Sequence, residues 1–249
     1  MYQIRSASIK RTTKETDIEL YLQLDSPLGA KQEISISTGI GFLDHVSSRG
    51  EGGCRPIIKK CLSYKSEHTY LHRDISSMLD ALAKHSGMSL RLTCKGDLHI
   101  DDHHTAEDVA IALGQAFHQA LFGQSGEGLK GIRRPPPFRH PISPDDFSIL
   151  LLSQALARAV VDISNRPYCA TDLKLQREKI GSLSCEMIPH VFYSFAMGAQ
   201  ISLHVDVLKG ENDHHKSEAS FKALALALKQ AIEKTGSDDV PSTKGTLSV

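Results

Sequence analysis

One six-residue frame occurs twice in the chain, and it constrains the possible fold more than any other feature. The frame Asp-His-His-x-x-Glu spans residues 102–107 and again residues 213–218. Apolar residues with helical spacing follow both copies, so each frame is predicted to open a helix. So constrained a pattern rarely recurs by chance within 249 residues. We therefore interpret the chain as an internal duplication whose repeated residues build a metal site.

The elements around the two frames are predicted to recur in the same order. Each half contains two strand patterns, a short segment that ends in His, a helical pattern, a further strand pattern and the frame helix. Alternating residues at 2–10 and 17–24 predict a β-hairpin, and residues 96–100 also have a strand pattern. We place the first half at residues 1–125 and the second at 126–249, in one compact domain of the α/β class with an α+β two-layer architecture.

The spacing of the histidines indicates an insertion in the first half. His190 precedes His214 by 24 residues, whereas His45 precedes His103 by 58 residues. Removing residues 46–77, which have no clean periodicity, reduces the second spacing to 26. We interpret this segment as an insertion that interrupts a helix directly after His45, and we hypothesise that it is translated intron.

Imidazole nitrogen and carboxylate oxygen are suitable ligands for Mn, Fe, Co, Ni or Zn ions. His103 and Glu107 are four positions apart and share one face of a helix. Adjacent histidines diverge by about 100° on a helix, so His103 and His104 are predicted to bind different ions. Ligation by nitrogen and oxygen, without thiolate and with open positions for a substrate, favours Mn²⁺ over structural Zn²⁺. The predicted ligands of two ions are His45, His103, His104, Glu107, His190, His214, His215 and Glu218.

A simpler interpretation of each frame is an ordinary helix N-terminus. Asp102 or Asp213 would be the N-cap, and the Glu in the first turn would complement the helix dipole. The two copies and the upstream His in each half favour metal binding, although both roles can coexist.

Composition excludes several classes of protein. Lys plus Arg equals Asp plus Glu at 29 each, so charge does not indicate binding to nucleic acid or to a membrane surface. No apolar run is long enough for a membrane span, and the N-terminal residues lack the apolar core of a secretory signal. Five cysteines without a C-x-x-C motif indicate a reducing compartment, which we take to be the cytoplasm.

Several stretches of the chain resemble one enzyme family. They include STGIGFLDH, GDLHIDDHHTAEDVAIALGQAF, ARAVVDISNRPY, LQREKIGSLSCEMIPH, LHVDVLKGENDHHKSEASFKALA and DVPSTKG. In these stretches the sequence resembles the imidazoleglycerol-phosphate dehydratases of histidine biosynthesis, and above all the fungal ones. The matching stretches cover nearly all of the chain outside 46–77 and roughly 122–155.

The resemblance implies a fold and a reaction. Each half would be a four-stranded sheet with two helices on one face, as in domain 2 of ribosomal protein S5. The enzyme would be a homo-oligomer, a 24-subunit shell built from trimers, with two Mn²⁺ in each site at subunit interfaces. It would convert imidazole glycerol phosphate to imidazole acetol phosphate, with the imidazolate ring between the metals acting as an electron sink.

The resemblance also implies roles for individual residues. Glu15 would be the acid/base carboxylate and Asp102 an acid beside the reacting glycerol, with Glu107 and Glu218 also in the catalytic centre. On residue type alone, Glu15 is an exposed turn residue and the cations are ordinary surface charges. The implied substrate-binding residues are Glu15, His85, Arg158, Arg177, Lys222, Ser242 and Lys244.

Two segments depart from the family pattern. One is 46–77, and the other is 134–154, where a proline-rich stretch replaces the family's shorter connection. Three alternatives therefore stay open. One is a catalytically impaired splice or gene-model variant, and another is a different dinuclear metal enzyme such as a phosphoester hydrolase. The third is a catalytically inactive metal-binding or structural paralogue, which the insertion after His45 favours.

Overall fold

The computed structural model describes residues 4–25, 30–44, 78–123, 148–152 and 154–234. The first half contains two helices and a four-stranded sheet in the order β1-β2-β4-β3, with β3 parallel to β4 and the other pairs antiparallel. Its elements are β1 (Ser6–Thr12), β2 (Thr16–Gln23), β3 (Ile34–Ser37), α1 (Met78–Ser86), β4 (Ser89–Gly96) and α2 (His103–Phe122).

The second half repeats this topology. Its four-stranded sheet has the order β5-β6-β10-β7, again with one parallel pair, β10 with β7. Its elements are β5 (Ser148–Leu152), β6 (Ala155–Asp162), β7 (Tyr168–Asp172), β8 (Lys179–Ile180), β9 (Leu183–Ser184), α3 (Met187–Ala199), β10 (Ser202–Gly210) and α4 (Asp213–Ala231). The predicted α/β class and the duplicated four-stranded sheets are therefore confirmed. The predicted boundary near residue 125 and the segment 46–77 lie outside the described residues.

The helices of the two halves pack against one another between the two sheets. In the first half α2 covers β1 and β2, and in the second half α4 covers β5, β6 and β10. Helix α2 also packs along α3, and α1 packs along α4. Each half therefore packs its helices against the helices of the other half. As a result, residues at the ends of α2 and α3, or of α1 and α4, can form sites that combine both halves.

Two glycines set the distance between α2 and α3. A Cβ atom on Gly114 would lie 2.4 Å from the carbonyl oxygen of Phe195, and one on Gly198 would lie 2.6 Å from that of Ile111. Both contacts are to backbone, which cannot rotate away. The two helices approach so closely because neither has a side chain at the crossing point.

Two local features differ from the sequence prediction. Residues 97–100 form a turn, closed by a hydrogen bond from the Ile100 amide to the Asp97 carbonyl (2.8 Å), so the predicted strand at 96–100 is wrong beyond Gly96. Its short apolar pattern belongs to exposed residues, since Ile100 is 64% exposed. A small hairpin of β8 and β9, turning at Gly181 with positive φ, was not predicted. In the described part of the chain, no helix combines the length and apolarity that a membrane span requires.

Candidate metal centre

Three predicted ligands from both halves converge at the start of α2. His103 is the first residue of α2, Glu107 lies one turn later, and His190 lies in the first turn of α3. Glu107 Oε2 is 3.5 Å from His103 Nε2, and Glu107 Oε1 is 3.4 Å from His190 Nε2. One ligand atom from each of the three residues lies within 4.8 Å of the others. This spacing suits a single ion with two imidazole ligands and one carboxylate.

Buried ring nitrogens also fit a metal. The contact between His190 Nε2 and Glu107 lacks hydrogen-bond geometry, so this buried nitrogen has no hydrogen-bond partner, and neither has Nδ1 of His215. Buried polar atoms are normally paired, and an unpaired one calls for an explanation such as an absent ion or water. The donor set is therefore compatible with an Mn²⁺-type ion.

The adjacent histidines diverge, as the helical spacing predicts. The ring centroids of His103 and His104 are 6.0 Å apart, and those of His214 and His215 are 5.7 Å apart with the ring planes at 87°. His104 does not join His103 and Glu107. Within the described residues of one chain, the eight predicted ligands are consequently not all brought together.

His104 is held instead by two acids outside the helix. Its Nδ1 atom lies 2.9 Å from Oδ2 of Asp97, and its Nε2 atom lies 3.8 Å from Oε1 of Glu15. The hydrogen bond with Asp97 raises the pKa of His104 and lowers the pKa of Asp97. A carboxylate on one ring nitrogen fixes the tautomer and leaves the other nitrogen for a ligand, as around many metal sites. Glu15, the implied acid/base residue, therefore faces the metal-binding side of this ring.

A second group of predicted residues lies at the start of α4. His214 Nε2 is 4.0 Å from Glu218 Oε2, and Glu218 Oε1 accepts a hydrogen bond from Lys222 Nζ (2.5 Å). The ring of Phe42 packs edge-on against His214, with centroids 5.3 Å apart. His85 lies in the last turn of α1, which packs along α4, and burial together with the positive charge of Lys222 lowers its pKa. His45 lies outside the described residues. Phe42, three residues earlier in the chain, contacts His214 of α4.

The frame aspartates do not cap their helices. The cap of α4 is the Asn212 side chain, which accepts hydrogen bonds from the amides of His214 and His215. Asp102 makes no side-chain cap bond, and Asp101 accepts from the His103 amide instead (2.9 Å). The N-cap interpretation is therefore wrong for Asp213, which is the first residue of α4, whereas Asp102 occupies the N-cap position of α2 without making a side-chain cap bond.

Both frame aspartates are buried and hold other segments. Asp102 accepts hydrogen bonds from the amide and the hydroxyl of Ser184, which ties the start of α2 to β9. Asp213 accepts from the amides of Gln176 (2.8 Å) and Arg177 (2.7 Å) and from Lys216 Nζ (2.9 Å). Burial alone would raise the pKa of Asp213, but these donors together hold it below its ordinary value.

Replacing Asp213 by Asn is expected to destabilise the fold in a pH-dependent way. The substitution removes the only carboxylate, within the described residues, that pairs with the buried Lys216 ammonium, which keeps its hydrogen bond to the Lys174 carbonyl (2.6 Å), and this costs about 3 kcal/mol at pH 7. A depressed carboxyl pKa contributes stability above the unfolded value of about 4 and loses it as pH falls through the folded value. The difference between the variant and the unsubstituted protein should thus shrink in acid. Urea unfolding at pH 7 and at about pH 3, below the unfolded pKa, measures this difference, with the exposed Asp172→Asn as control. A difference that is constant with pH would contradict this electrostatic role.

The implied phosphate-binding residues are dispersed, and two of them are outside the described residues. Arg158 on β6 donates from Nε (3.1 Å) and Nη2 (2.6 Å) to Asp206 on β10. Arg177 is exposed in the segment that Asp213 holds, and Lys222 is paired with Glu218. Ser242 and Lys244 lie outside the described residues. The described part of one chain does not gather these cations into one cluster.

The comparisons with known proteins decide the family. A family model described as imidazoleglycerol-phosphate dehydratase matches residues 73–228, which is more than half of the chain. The chain is a member of the imidazoleglycerol-phosphate dehydratase family. Members of this family are hydro-lyases of histidine biosynthesis, so the resemblance seen in the sequence is confirmed.

Individual dehydratases match over almost their full length. The imidazoleglycerol-phosphate dehydratase of Komagataella pastoris is 46% identical, with 98% of this chain and 97% of that protein covered. That of Phaffia rhodozyma is 50% identical, with the same coverage. Among solved structures, a dehydratase from Staphylococcus aureus has a TM-score of 0.61 at 25% identity, covering 92% of this chain and 99% of that one. A ligand-bound dehydratase from Pyrococcus furiosus has a TM-score of 0.63 at 28% identity, covering 96% and 99%.

Four residues that contact candidate site residues or the turn that carries Glu15 were not singled out in the sequence. Asp97 was obscured because its segment was assigned to a strand. Ser184 and Asp206 act through the tertiary pairing of distant segments, which no local pattern shows. Asp108 could have been found, because it occupies a buried helix position at which the second frame has Ala219.

Proposed function

We propose that this chain catalyses the Mn²⁺-dependent dehydration of imidazole glycerol phosphate to imidazole acetol phosphate. The observation that carries the proposal is the convergence of His103, Glu107 and His190, with a buried imidazole nitrogen that lacks a protein partner. Family membership supports the choice of reaction.

The residues would divide into two equivalent metal shells. His103, Glu107 and His190 would hold one ion, so the second half completes the ligand set of the first. By the symmetry of the duplication, His214 and Glu218 would hold the other ion together with His45. Such ions stabilise negative charge that develops on a bound ring in the transition state.

His104 and His215 would serve sites shared with other copies of the chain. Their rings diverge from the cluster within their own chain, so a second copy must supply the rest of a shell to which they belong. We accordingly propose a homo-oligomer, a 24-subunit assembly of trimers, with sites at the interfaces. We place it in the cytoplasm, consistent with the free thiols of Cys94, Cys169 and Cys185.

Glu15 would move the substrate proton. Loss of water removes a proton from one carbon and hydroxide from its neighbour, which requires a general base and a general acid. The Glu15 carboxylate is half exposed and lies on the same side as His104 Nε2, so it can reach a substrate that contacts this ring. Asp102, with its oxygens bonded to Ser184, would act beside it by orienting the glycerol region.

Fixed cations would bind the phosphate. Arg158 keeps Nη1 available while Asp206 occupies its Nε and Nη2 atoms, so the carboxylate can orient the guanidinium for a phosphate oxygen. Arg177, Lys222, Ser242 and Lys244 would supply further donors, and His85 would contact the substrate as a neutral imidazole.

A direct assay tests this function. The purified chain, stripped of metal, should form imidazole acetol phosphate only after Mn²⁺ is added. A second form without residues 46–77 should be at least as active, because that deletion restores the repeat spacing after His45. Activity in neither form with Mn²⁺ would contradict the proposed reaction and support an inactive paralogue. Activity only in the shorter form would identify the full chain as the impaired variant.

A further inference from the structure

A buried ionic cluster connects the metal-binding helix to the turn that carries Glu15. Asp108 on α2 is 7% exposed, pairs with Nη1 of Arg11 on β1, and accepts a hydrogen bond from Thr16 Oγ1 on β2 (2.6 Å). It follows Glu107 directly on the helix but faces the sheet, so it is not part of the metal cluster.

The hydrogen bonds continue without a break from Asp108 to Glu15. The Thr16 hydroxyl uses its proton for Asp108, so the single proton of the Thr13 hydroxyl is shared between Thr16 Oγ1 (3.2 Å) and the Thr16 carbonyl oxygen (3.4 Å). Thr13 Oγ1 in turn accepts from the amides of Glu15 (3.1 Å) and Thr16 (2.9 Å). The backbone at Glu15 is thereby fixed relative to the helix on which Glu107 lies.

The duplication shows that the fold does not require this cluster. Thr16 pairs with Gly96 and Ala155 pairs with Gly210, which defines equivalent positions in the two sheets. By this register Arg11 corresponds to Leu150 and Thr16 to Ala155. Asp108 corresponds to Ala219, because each directly follows its copy of the six-residue frame. The second half thus has apolar residue types at all three positions.

A buried charge carries a desolvation cost that an apolar replacement avoids. Of the two equivalent sets of positions, the buried charged residues occupy the set in the first half, and the hairpin turn of that half carries the Glu15 carboxylate. We propose that Asp108, acting through Thr16 and Thr13, is the positioning residue for Glu15. It sets the position of that carboxylate relative to the metal-binding helix. This inference rests on the proposed role of Glu15 in the dehydration.

The decisive variant is Thr16→Val, which removes one hydroxyl at nearly constant volume and leaves the Arg11–Asp108 pair intact. A misplacement of a catalytic group by about 1 Å costs up to about 100-fold in rate. We therefore expect kcat to fall about 30-fold or more. The KM and the Mn²⁺ affinity should change less than about threefold, because neither the phosphate site nor the metal cluster is touched. Asp108→Asn should have the same signature, and Thr93→Val, on the exposed face of β4, is the matched control.

A double-mutant cycle separates this inference from the proposed function. In a Glu15→Gln background, Thr16→Val should lower kcat by less than about twofold, because both substitutions act through one carboxylate. An equal loss in both backgrounds, or a kcat equal to that of the Thr93→Val control, would overturn the positioning role. Full activity of Glu15→Gln itself would instead remove Glu15 from the proposed mechanism.

Amide hydrogen exchange tests the positioning without any activity. The amides of Glu15 and Thr16 should exchange at least about tenfold faster in Thr16→Val and Asp108→Asn than in the Thr93→Val control. Unchanged exchange at both amides would overturn the inference even if the chain proved to be an inactive paralogue.

Discussion

Replacing Glu107 by Gln is expected to abolish tight Mn²⁺ binding and to lower kcat by about 1,000-fold, the equivalent of several kcal/mol of lost transition-state stabilisation. Both carboxylate oxygens are used, one toward His103 and one toward His190, so this side chain is the common element of ligands from two helices. The amide keeps the volume but removes the charge that offsets the ion. Metal content of the purified protein and calorimetric titration with Mn²⁺ measure the loss, beside the dehydratase assay.

The matched control for this substitution is Glu19→Gln. The side chain of Glu19 is 68% exposed and pairs with Lys10. It lies on the face of the first sheet that points away from α2. It should keep the metal content and the rate of the unsubstituted protein. Tight Mn²⁺ binding by the Glu107 variant would contradict the assignment of this cluster as a metal centre.

Replacing Gly114 by Ala is expected to lower the free energy of unfolding by about 3 kcal/mol, at the upper end for overpacked cores. The added methyl group would meet Phe195 O at 2.4 Å and Ala199 N at 2.7 Å, so α2 and α3 must move apart. For a chain of this size the melting temperature should fall by about 6–12 °C. Because His103 and His190 lie on these two helices, weaker metal binding should accompany the loss of stability.

Gly41→Ala provides the control for the added methyl group. A Cβ at Gly41 meets no atom within 4 Å, and its φ is not positive, so the melting temperature should hardly change. Thermal unfolding of both variants, followed by circular dichroism, measures the difference. Equal melting temperatures would show that the crossing tolerates a wider separation and that the two glycines do not determine it.

The elements of the fold follow from local patterns because periodicity is a property of neighbouring residues. The hairpin at 2–10 and 17–24, the helix at Met78–Ser86 and both frame helices were predictable in this way. The turn at 97–100 was not predictable, because a short run with alternating apolar residues is equally compatible with a strand and with a turn. The tertiary pairing decided it: the partner strand β2 begins at Thr16, opposite Gly96, so the ladder ends there and the Ile100 amide bonds back to the Asp97 carbonyl instead.

The duplicated frame determined by itself that His103 and Glu107 share a helix face and that adjacent histidines point in different directions. Both statements depend only on the rise and turn of an α-helix. The sequence also places His45 and His190 at equivalent positions of the repeat, but it does not say which frame each of them joins.

Only the tertiary structure decided that His190 of the second half meets the frame of the first. The close approach of α2 and α3 at Gly114 and Gly198 places the starts of these helices together, and that packing joins segments about 80 residues apart. The same applies to Asp97, which holds His104, and to Asp108, which holds the Glu15 turn. Helix spacing specifies which side chains share a face, whereas helix and sheet packing specify what that face meets.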